Sequence, residues 1–191
     1  MHWQCRNRKL ECGVRPSIMG ILNVTPDSFS DGGRFTDTAA AVAAARQMVE
    51  DGADIIDVGG ESTRPGAAAV DTVEELRRVI PVIEAIVTET DAMVSVDTMK
   101  ADVAREGMRC GAHIINDVSA LTHDAAMADV AGEFGAGVVL MHMQGSPRTM
   151  QSDPQYSDVV SEVRCYLEAR VSTVVEAGLA RETLAIDPGV G

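Results

Sequence analysis

The chain has 191 residues, with 16 Lys and Arg against 29 Asp and Glu, and so a formal charge of −13. One domain's worth of chain with 46% hydrophobic and 24% charged residues is an ordinary globular composition, which excludes a disordered or low-complexity protein. The acidic balance and scarce aromatics (3 Phe, 2 Tyr, 1 Trp) argue against a nucleic-acid surface, and the sequence has neither a run of about 18 apolar residues nor an apolar signal core at its start, so the cytoplasm is the expected compartment.

Taken in chain order, residues 3–6 and 9–12 around Asn7-Arg8 read as a small hairpin within a segment 1–16, placed as a structural plug. Cys5 and Cys12 can face each other across it. No C-x-x-C spacing exists among the four cysteines, so reduced thiols are expected, with Cys110 and Cys165 buried in helices. From residue 17 to 191, β-branched runs alternate with helix-period segments, the pattern of βα units and a parallel sheet in a single domain. Strands are predicted at 18–22, 54–58, 93–96, 113–115, 137–141 and 183–186. Thr72-x-x-Glu75 reads as a capping box ahead of Leu76, Val79, Ile80 and Ile83, and Pro81 inside that stripe predicts a kink or an earlier helix end. Val159, Val163, Leu167, Val171 and Val175 draw an apolar stripe along a helix ending at Gly178.

Gly52-Ala53-Asp54-Ile55-Ile56, Gly111-Ala112-His113-Ile114-Ile115 and Gly135-Ala136-Gly137-Val138-Val139 repeat one unit: a glycine at a helix exit, then a buried strand. With no G-x-G-x-x-G after the first strand, a TIM-type (β/α)8 barrel fits better than a doubly wound sheet. A full barrel needs eight strands and about 250 residues, so the expectation is a barrel cut after its sixth strand.

In such a barrel chemistry gathers where strands end. Asn23, Asp57, Asp97, Asn116, His142 and Asp187 stand at those points. Each alone is as readily a helix cap or loop hydrogen bond. Together, acceptor-only carboxylates and two-way carboxamides suit a flat heterocycle with several N–H donors. His2, His113 and His123 lack ligand spacing and read as structural, leaving His142 to test; the Met-rich stretch 141–150 reads as pocket wall. Loops 23–36 and 59–71 exceed ordinary βα lengths and are expected to be mobile lids, carrying Arg34 and Arg64. Backbone amides, Arg64, Ser62 and Thr63 can together hold a phosphate or pyrophosphate.

The run Ile18-Met19-Gly20-Ile21-Leu22-Asn23-Val24-Thr25-Pro26-Asp27-Ser28-Phe29-Ser30-Asp31-Gly32-Gly33 and the run Asp57-Val58-Gly59-Gly60-Glu61-Ser62-Thr63-Arg64-Pro65-Gly66 resemble the two marker motifs of the dihydropteroate synthase family. Ser95-Val96-Asp97-Thr98, Ile115-Asn116-Asp117-Val118, Leu140-Met141-His142-Met143-Gln144-Gly145 and Asp187-Pro188-Gly189-Val190-Gly191 are similar to the family's later motifs, in the same order. The resemblance implies a pterin-binding barrel that condenses 6-hydroxymethyl-7,8-dihydropterin pyrophosphate with 4-aminobenzoate to give 7,8-dihydropteroate and pyrophosphate, with sulfonamides as competitors. It further implies Asn23 as a ligand to Mg2+ and Thr63 as a diphosphate contact. Asp97, Asn116 and Asp187 become hydrogen-bond partners of the pterin ring, with Met141 and Val118 on its faces. Phe29, Ser62, Thr63 and Pro65 become the aminobenzoate pocket. Asp97, Asp187 and Arg64 are the implied catalytic groups, the partners are small molecules, and the full-length parent is a homodimer.

The family pattern continues past Asp-Pro-Gly-x-Gly with a Phe-Gly-Lys run, a later lysine near Ser-Arg, and an Arg-x-His, none of which this sequence contains. The expectation is therefore the N-terminal two-thirds of a synthase, inactive as it stands, with its first and sixth strands as open apolar edges. Two rivals remain at this stage. A pterin-dependent methyltransferase shares the ring contacts but has no need of the Thr-Pro-Asp-Ser-Phe-Ser and Ser-Thr-Arg-Pro-Gly loops. A non-catalytic remnant is the other.

Overall fold

In the computed structural model, residues 1–25, 34–61, 69–147, 149–150 and 153–190 are described, residues 34–37 by their backbone alone. Six parallel strands hydrogen-bond in chain order: β3 (Met19–Asn23), β4 (Ile55–Gly59), β5 (Met93–Asp97), β6 (Ile114–Asp117), β7 (Gly137–Met141) and β8 (Leu184–Asp187). The crossovers carry α1 (Arg34–Glu50), α2 (Thr72–Glu89), α3 (Ala101–Arg109), α4 (Met127–Phe134) and α5 (Val159–Glu176). Sequential parallel order with a helix in each connection is the TIM-type arrangement. Every expected strand is present within two residues of its predicted limits.

Strand side chains alternate between two faces, and the two faces have different cores. Leu22, Ile56, Val58, Val94, Val96, Ile115, Val138 and Leu140 point outward and pack with the helices, among them Val79, Ile83 and Ile86 of α2 and Met108 of α3. Burying each such side chain contributes about 1.5–3 kcal/mol. Ile55, Met93 and Ile114 point inward and form a separate cluster with Trp3 and Cys5.

Trp3 and Cys5 arrive on the hairpin β1 (His2–Cys5) and β2 (Arg8–Glu11), which pairs antiparallel with His2 opposite Glu11 and Cys5 opposite Arg8, one residue earlier than the sequence predicts. The plug reading holds. The Trp3 indole donates to the Thr183 carbonyl at 2.7 Å, the Arg6 amide to Gly135 O at 2.8 Å, and Arg6 Nη1 to Met108 O at 2.8 Å and Ala112 O at 3.1 Å. At Gly137, which opens β7, a Cβ would stand 2.6 Å from Cys5 Sγ, so only glycine lets the hairpin seat. All four cysteines are free, and burial pushes the Cys5 thiol up to about 12. Contrary to expectation, Cys110 is only half-buried, at the end of α3, and Cys165 is exposed on α5.

One further expectation fails, that of the α2 cap, and the structure qualifies two others. The cap of α2 is Asp71, whose carboxylate accepts from the Glu74 amide at 2.8 Å, and not Thr72; Glu75 is released from capping and turns inward, 1% exposed. The helix does not end at Pro81, which lies on the solvent side, where water can satisfy the carbonyl that loses its donor. Helix α5 forms and stops ahead of Gly178 as expected, but its stripe is largely uncovered: only Leu167 and Val174 of that helix are buried, while Val159, Val160 and Val175 are exposed. The outer strands leave Ile21 and Ile186 65% and 59% exposed.

Candidate active site

Register fixes which side chains meet at the mouth. Asn23 lies opposite Gly59, Gly59 opposite Asp97, Asp97 opposite Asn116, and Met141 opposite Asp187. These residues face the same side as the inward cluster, one or two layers above it. Asn23, Asp97, Asn116, Met141 and Asp187 are therefore brought together at the C-terminal ends of the strands, as the sequence predicts.

Asp57 differs from its expected place. Strand β4 runs on to Gly59, so Asp57 sits one layer deeper, opposite Ser95, and is 4% exposed. Asn116 Nδ2 donates to Asp57 Oδ2 at 2.9 Å, which also fixes the orientation of the Asn116 carboxamide. Among the described residues, Asp57 Oδ1 and Ser95 Oγ are buried without a hydrogen-bond partner. A buried polar atom in that state costs about 1–3 kcal/mol. Burial raises the Asp57 carboxyl above its usual range, against the pull of the Asn116 amide and of the Ser95 hydroxyl on the paired strand, which lies nearby but falls short of hydrogen-bond geometry.

Gly59 makes the space between the neighbouring strand ends. A Cβ there would stand 3.1 Å from Asp97 Oδ2 and 3.6 Å from Asn23 Oδ1, filling a cradle between two oxygen donors. Asp97 is raised well above the usual carboxylate range, first by burial, then by the charges of Asp57, Glu75, Asp117 and Glu61. Behind it, Lys100 Nζ bridges Glu61 Oε2 and Glu75 Oε2, so the buried Glu75 has a counter-charge.

The turn after β6 is strained. Ala120 and Leu121 both hold left-handed backbone, at φ 52° and 59°, a conformation that costs a non-glycine residue about 1–2 kcal/mol. Asp117, fully buried, holds it: Oδ1 accepts from the Ser119 amide at 2.7 Å and hydroxyl at 2.6 Å, and Oδ2 from the Leu121 amide at 3.2 Å. Burial raises this carboxyl too, and those donors oppose the rise. From α5, Arg170 Nε and Nη2 donate to the Ala120 carbonyl at 3.0 and 2.8 Å. Val118, at the start of the turn, is buried.

Asp187 ends β8, and its Oδ1 accepts from the Gly189 amide at 2.8 Å. Met141 and Asp187 border an open groove of about 2090 Å3 that runs along the apolar side of α5. His142, singled out in the sequence, has a packing role instead: it is buried with its ring edge-on to Tyr166 at 5.0 Å and tilted to Tyr156 at 5.9 Å. His113 is structural, its Nδ1 accepting from the Val94 amide at 3.2 Å. Phe29, Ser62, Thr63, Arg64 and Pro65, and with them the lid expectation for both loops, lie outside the described residues; Arg34 opens α1. Sequence reasoning gave no role to Ser95, Gly59 or Arg170. The Ser95-x-Asp97 spacing, two residues on one strand face, was the available signal for the first.

Residues 19–191 match the family model for pterin binding enzymes. The chain is 54% identical over 176 residues to the dihydropteroate synthase of Escherichia coli K12, covering 92% of this chain and 62% of that protein. Among solved structures, Xanthomonas albilineans dihydropteroate synthase with 4-aminobenzoic acid superposes with a TM-score of 0.90 at 49% identity, covering 100% of this chain and 67% of that one. The same bacterium's enzyme in complex with 7,8-dihydropteroate gives 0.86 at 45% identity, covering 100% and 66%. The chain belongs to the dihydropteroate synthase family. It spans 62% of the length of the Escherichia coli relative. The orphaned acceptors under Asn116 thus lie in a barrel whose family is defined by pterin binding, and no helix of the described residues is long and apolar enough to cross a membrane.

Proposed function

We propose that this chain supplies the pterin site of a dihydropteroate synthase, joining 6-hydroxymethyl-7,8-dihydropterin pyrophosphate to 4-aminobenzoate with release of pyrophosphate. The observation that carries the reading is the pair of buried, partnerless oxygens, Asp57 Oδ1 and Ser95 Oγ, beneath Asn116 and Asp97. A pterin edge offers ring N–H and amino donors, which is what acceptors of this kind lack. Met141 and the buried Val118 provide apolar surface for the ring faces, and Asp187 a further acceptor.

In the reaction the bond between the pterin methylene carbon and the pyrophosphate oxygen breaks, the electron pair leaving with the oxygen. The amine of 4-aminobenzoate then attacks the cationic carbon and loses a proton. Asp97 and Asp187, fixed at strand ends, place negative charge near that carbon without reorganising. Arg64 clamps the departing pyrophosphate, with Thr63 on its oxygens. Phe29, Ser62, Thr63 and Pro65 shape the aminobenzoate side and exclude water, which competes for the cation.

Asn23 fits a role in holding Mg2+. Its carboxamide oxygen is a hard donor beside the Gly59 cradle, with Asp97 Oδ2 on the other side; a magnesium ion usually takes one or two protein oxygens and completes its shell from water and phosphate. When bound, it neutralises charge on the leaving pyrophosphate.

The test is calorimetric titration of the chain with 7,8-dihydropteroate, paired with an assay for its formation from the two substrates. Binding that is lost in Asp57→Ala supports the pterin site, and turnover supports the whole reaction. A folded chain that binds no pterin overturns both, while binding without turnover leaves the non-catalytic reading in place of the synthase.

A further inference from the structure

Arg170 belongs to none of the site motifs, sits on α5 and reaches past two intervening elements to a single backbone carbonyl. That carbonyl belongs to Ala120, one of two consecutive non-glycine residues in left-handed backbone. A lone residue of this kind is uncommon and a pair is rarer, and strain of this sort persists where the surroundings over-determine it. Here they do. Asp117 takes three donors from the turn, Ser119 Oγ accepts from the Thr122 and His123 amides at 3.3 and 3.1 Å, and the Ala120 side chain is fully buried. These contacts tie the turn to itself and to the end of β6. Among the side-chain hydrogen bonds of the described residues, the Arg170 fork alone ties it to another element.

The turn begins at the residue that follows the site. Asn116 and Asp117 are the last two residues of β6, and Val118 is the next. Any relaxation of residues 119–121 toward ordinary backbone must rotate the peptide planes that fix Val118 and, through Asp117, the end of β6. We propose that Arg170 is a positioning residue for the pterin site: its two hydrogen bonds to the Ala120 carbonyl hold the strained turn so that Val118 and Asn116 keep their places. The proposal rests on the reading that these residues meet the pterin ring, so its test includes a measurement on the free protein.

Two readouts are needed. In the free chain, hydrogen exchange of the Leu121 and Thr122 amides and the Asn116 side-chain amide resonances report the turn. Calorimetric titration with 7,8-dihydropteroate reports the site. Losing two hydrogen bonds from a charged donor, Arg170→Ala is expected to speed exchange at Leu121 and to weaken binding, each by about tenfold. Arg170→Lys, which keeps the charge but not the fork, is expected to fall between. The deciding variant is Ala120→Gly in the Arg170→Ala background. Glycine adopts left-handed backbone without penalty, so the turn no longer needs to be held, and binding is expected to return to within about threefold of the parent.

A role confined to packing α5 predicts no such rescue. An Arg170→Ala protein with unchanged exchange at Leu121 and unchanged binding overturns the proposal, and so does a failure of Ala120→Gly to restore what Arg170→Ala loses. If Arg170→Ala does not fold, Arg170→Lys with and without Ala120→Gly carries the same comparison. If the parent chain binds no pterin, the proposed function fails on its own, and exchange at Leu121 with the glycine rescue still decides whether Arg170 holds the turn.

Discussion

The two ends of the same strands do opposite things. Ile55, Met93 and Ile114 begin β4, β5 and β6 and are sealed by the hairpin, where the Trp3 indole finds a carbonyl at 2.7 Å and no side chain fits at Gly137. Gly59, Asp97 and Asn116 end or nearly end the same strands, about 13 Å on in β4 and β5 and about 7 Å on in β6 at 3.3 Å per residue, and just beneath them two buried oxygens are left without hydrogen-bond partners. The lower end gains stability by excluding water and pairing the donors of Trp3 and Arg6 with backbone carbonyls. The upper end leaves buried acceptors unpaired and sets carboxylates next to one another, and so gives up stability. The period-2 alternation lets one strand serve both, since residues two apart share a face.

The comparison breaks if damage at one end is felt equally at the other. The largest effect is expected from Trp3→Ala, which should cost about 3–5 kcal/mol in urea unfolding yet leave the dissociation constant for 7,8-dihydropteroate unchanged at temperatures where the variant is folded. A parallel loss of affinity would mean that the plug also sets the mouth. Asp97→Asn should do the reverse. Exchanging a charged acceptor for a carboxamide should weaken pterin binding by about 10- to 100-fold, from the 1.5–3 kcal/mol of a charged hydrogen bond. Its urea midpoint should stay level or rise, because a carboxylate raised by burial and by four neighbouring acids is removed. Unchanged binding in the folded variant would take Asp97 out of the site.

A smaller change sharpens the boundary. Gly59→Ala puts a methyl group 3.1 Å from Asp97 Oδ2, so the carboxylate must shift by a few tenths of an ångström. The expected result is about a tenfold weaker pterin affinity with a stability cost near 1 kcal/mol, the low end of overpacking. Stability falling by several kcal/mol with affinity intact would show that Gly59 serves packing and not the cradle.

The strand order and the plug were legible in the sequence because they follow from patterns that tolerate small errors. Gly137 and Gly52 punctuate helix exits, and alternation sorts Ile114 inward and Ile115 outward whatever the end residue of β6. Asn23, Asp97, Asn116 and Asp187 were legible for the same reason, each being the polar residue that stops an apolar run. What escaped depends on distances that no pattern encodes. His142 also stops an apolar run, yet it falls one residue past Met141, just beyond the strand, and packs against Tyr156 and Tyr166. Thr72 and Asp71 are both good caps, and the choice between them frees Glu75 to meet Lys100. The α5 stripe has ideal spacing, but periodicity states which side of a helix is apolar and not whether anything covers it. Arg170 and Ala120 lie 50 residues apart, and nothing local in the sequence marks a left-handed alanine.

The smallest expected effect tests whether the mouth carries the cost assigned to it. Asp57, Asp97 and Asp117 all have carboxyls raised by burial. A raised carboxyl binds its proton more tightly in the folded chain than in the unfolded one, so the stability it contributes is fully present below the unfolded value, near 3.9, and is lost as pH rises through the folded value. The rim behaves oppositely. Glu74 is lowered to about 2 by Arg77 and Arg78, and Asp54 is lowered by Arg15; their contribution is constant above the unfolded value and disappears only in acid. His113, lowered mainly by burial, adds stability as pH rises toward its unfolded value, near 6.5. A difference between two proteins that share His113 and the rim removes both of those contributions. Asp57→Asn keeps an oxygen to accept from Asn116 while discarding the titration, so its stability relative to the parent should grow between pH 5 and pH 8. Urea midpoints that differ by the same amount at both pH values would mean that Asp57 is no costlier to ionise in the folded chain than in the unfolded one, and that the mouth is not the strained end of the barrel.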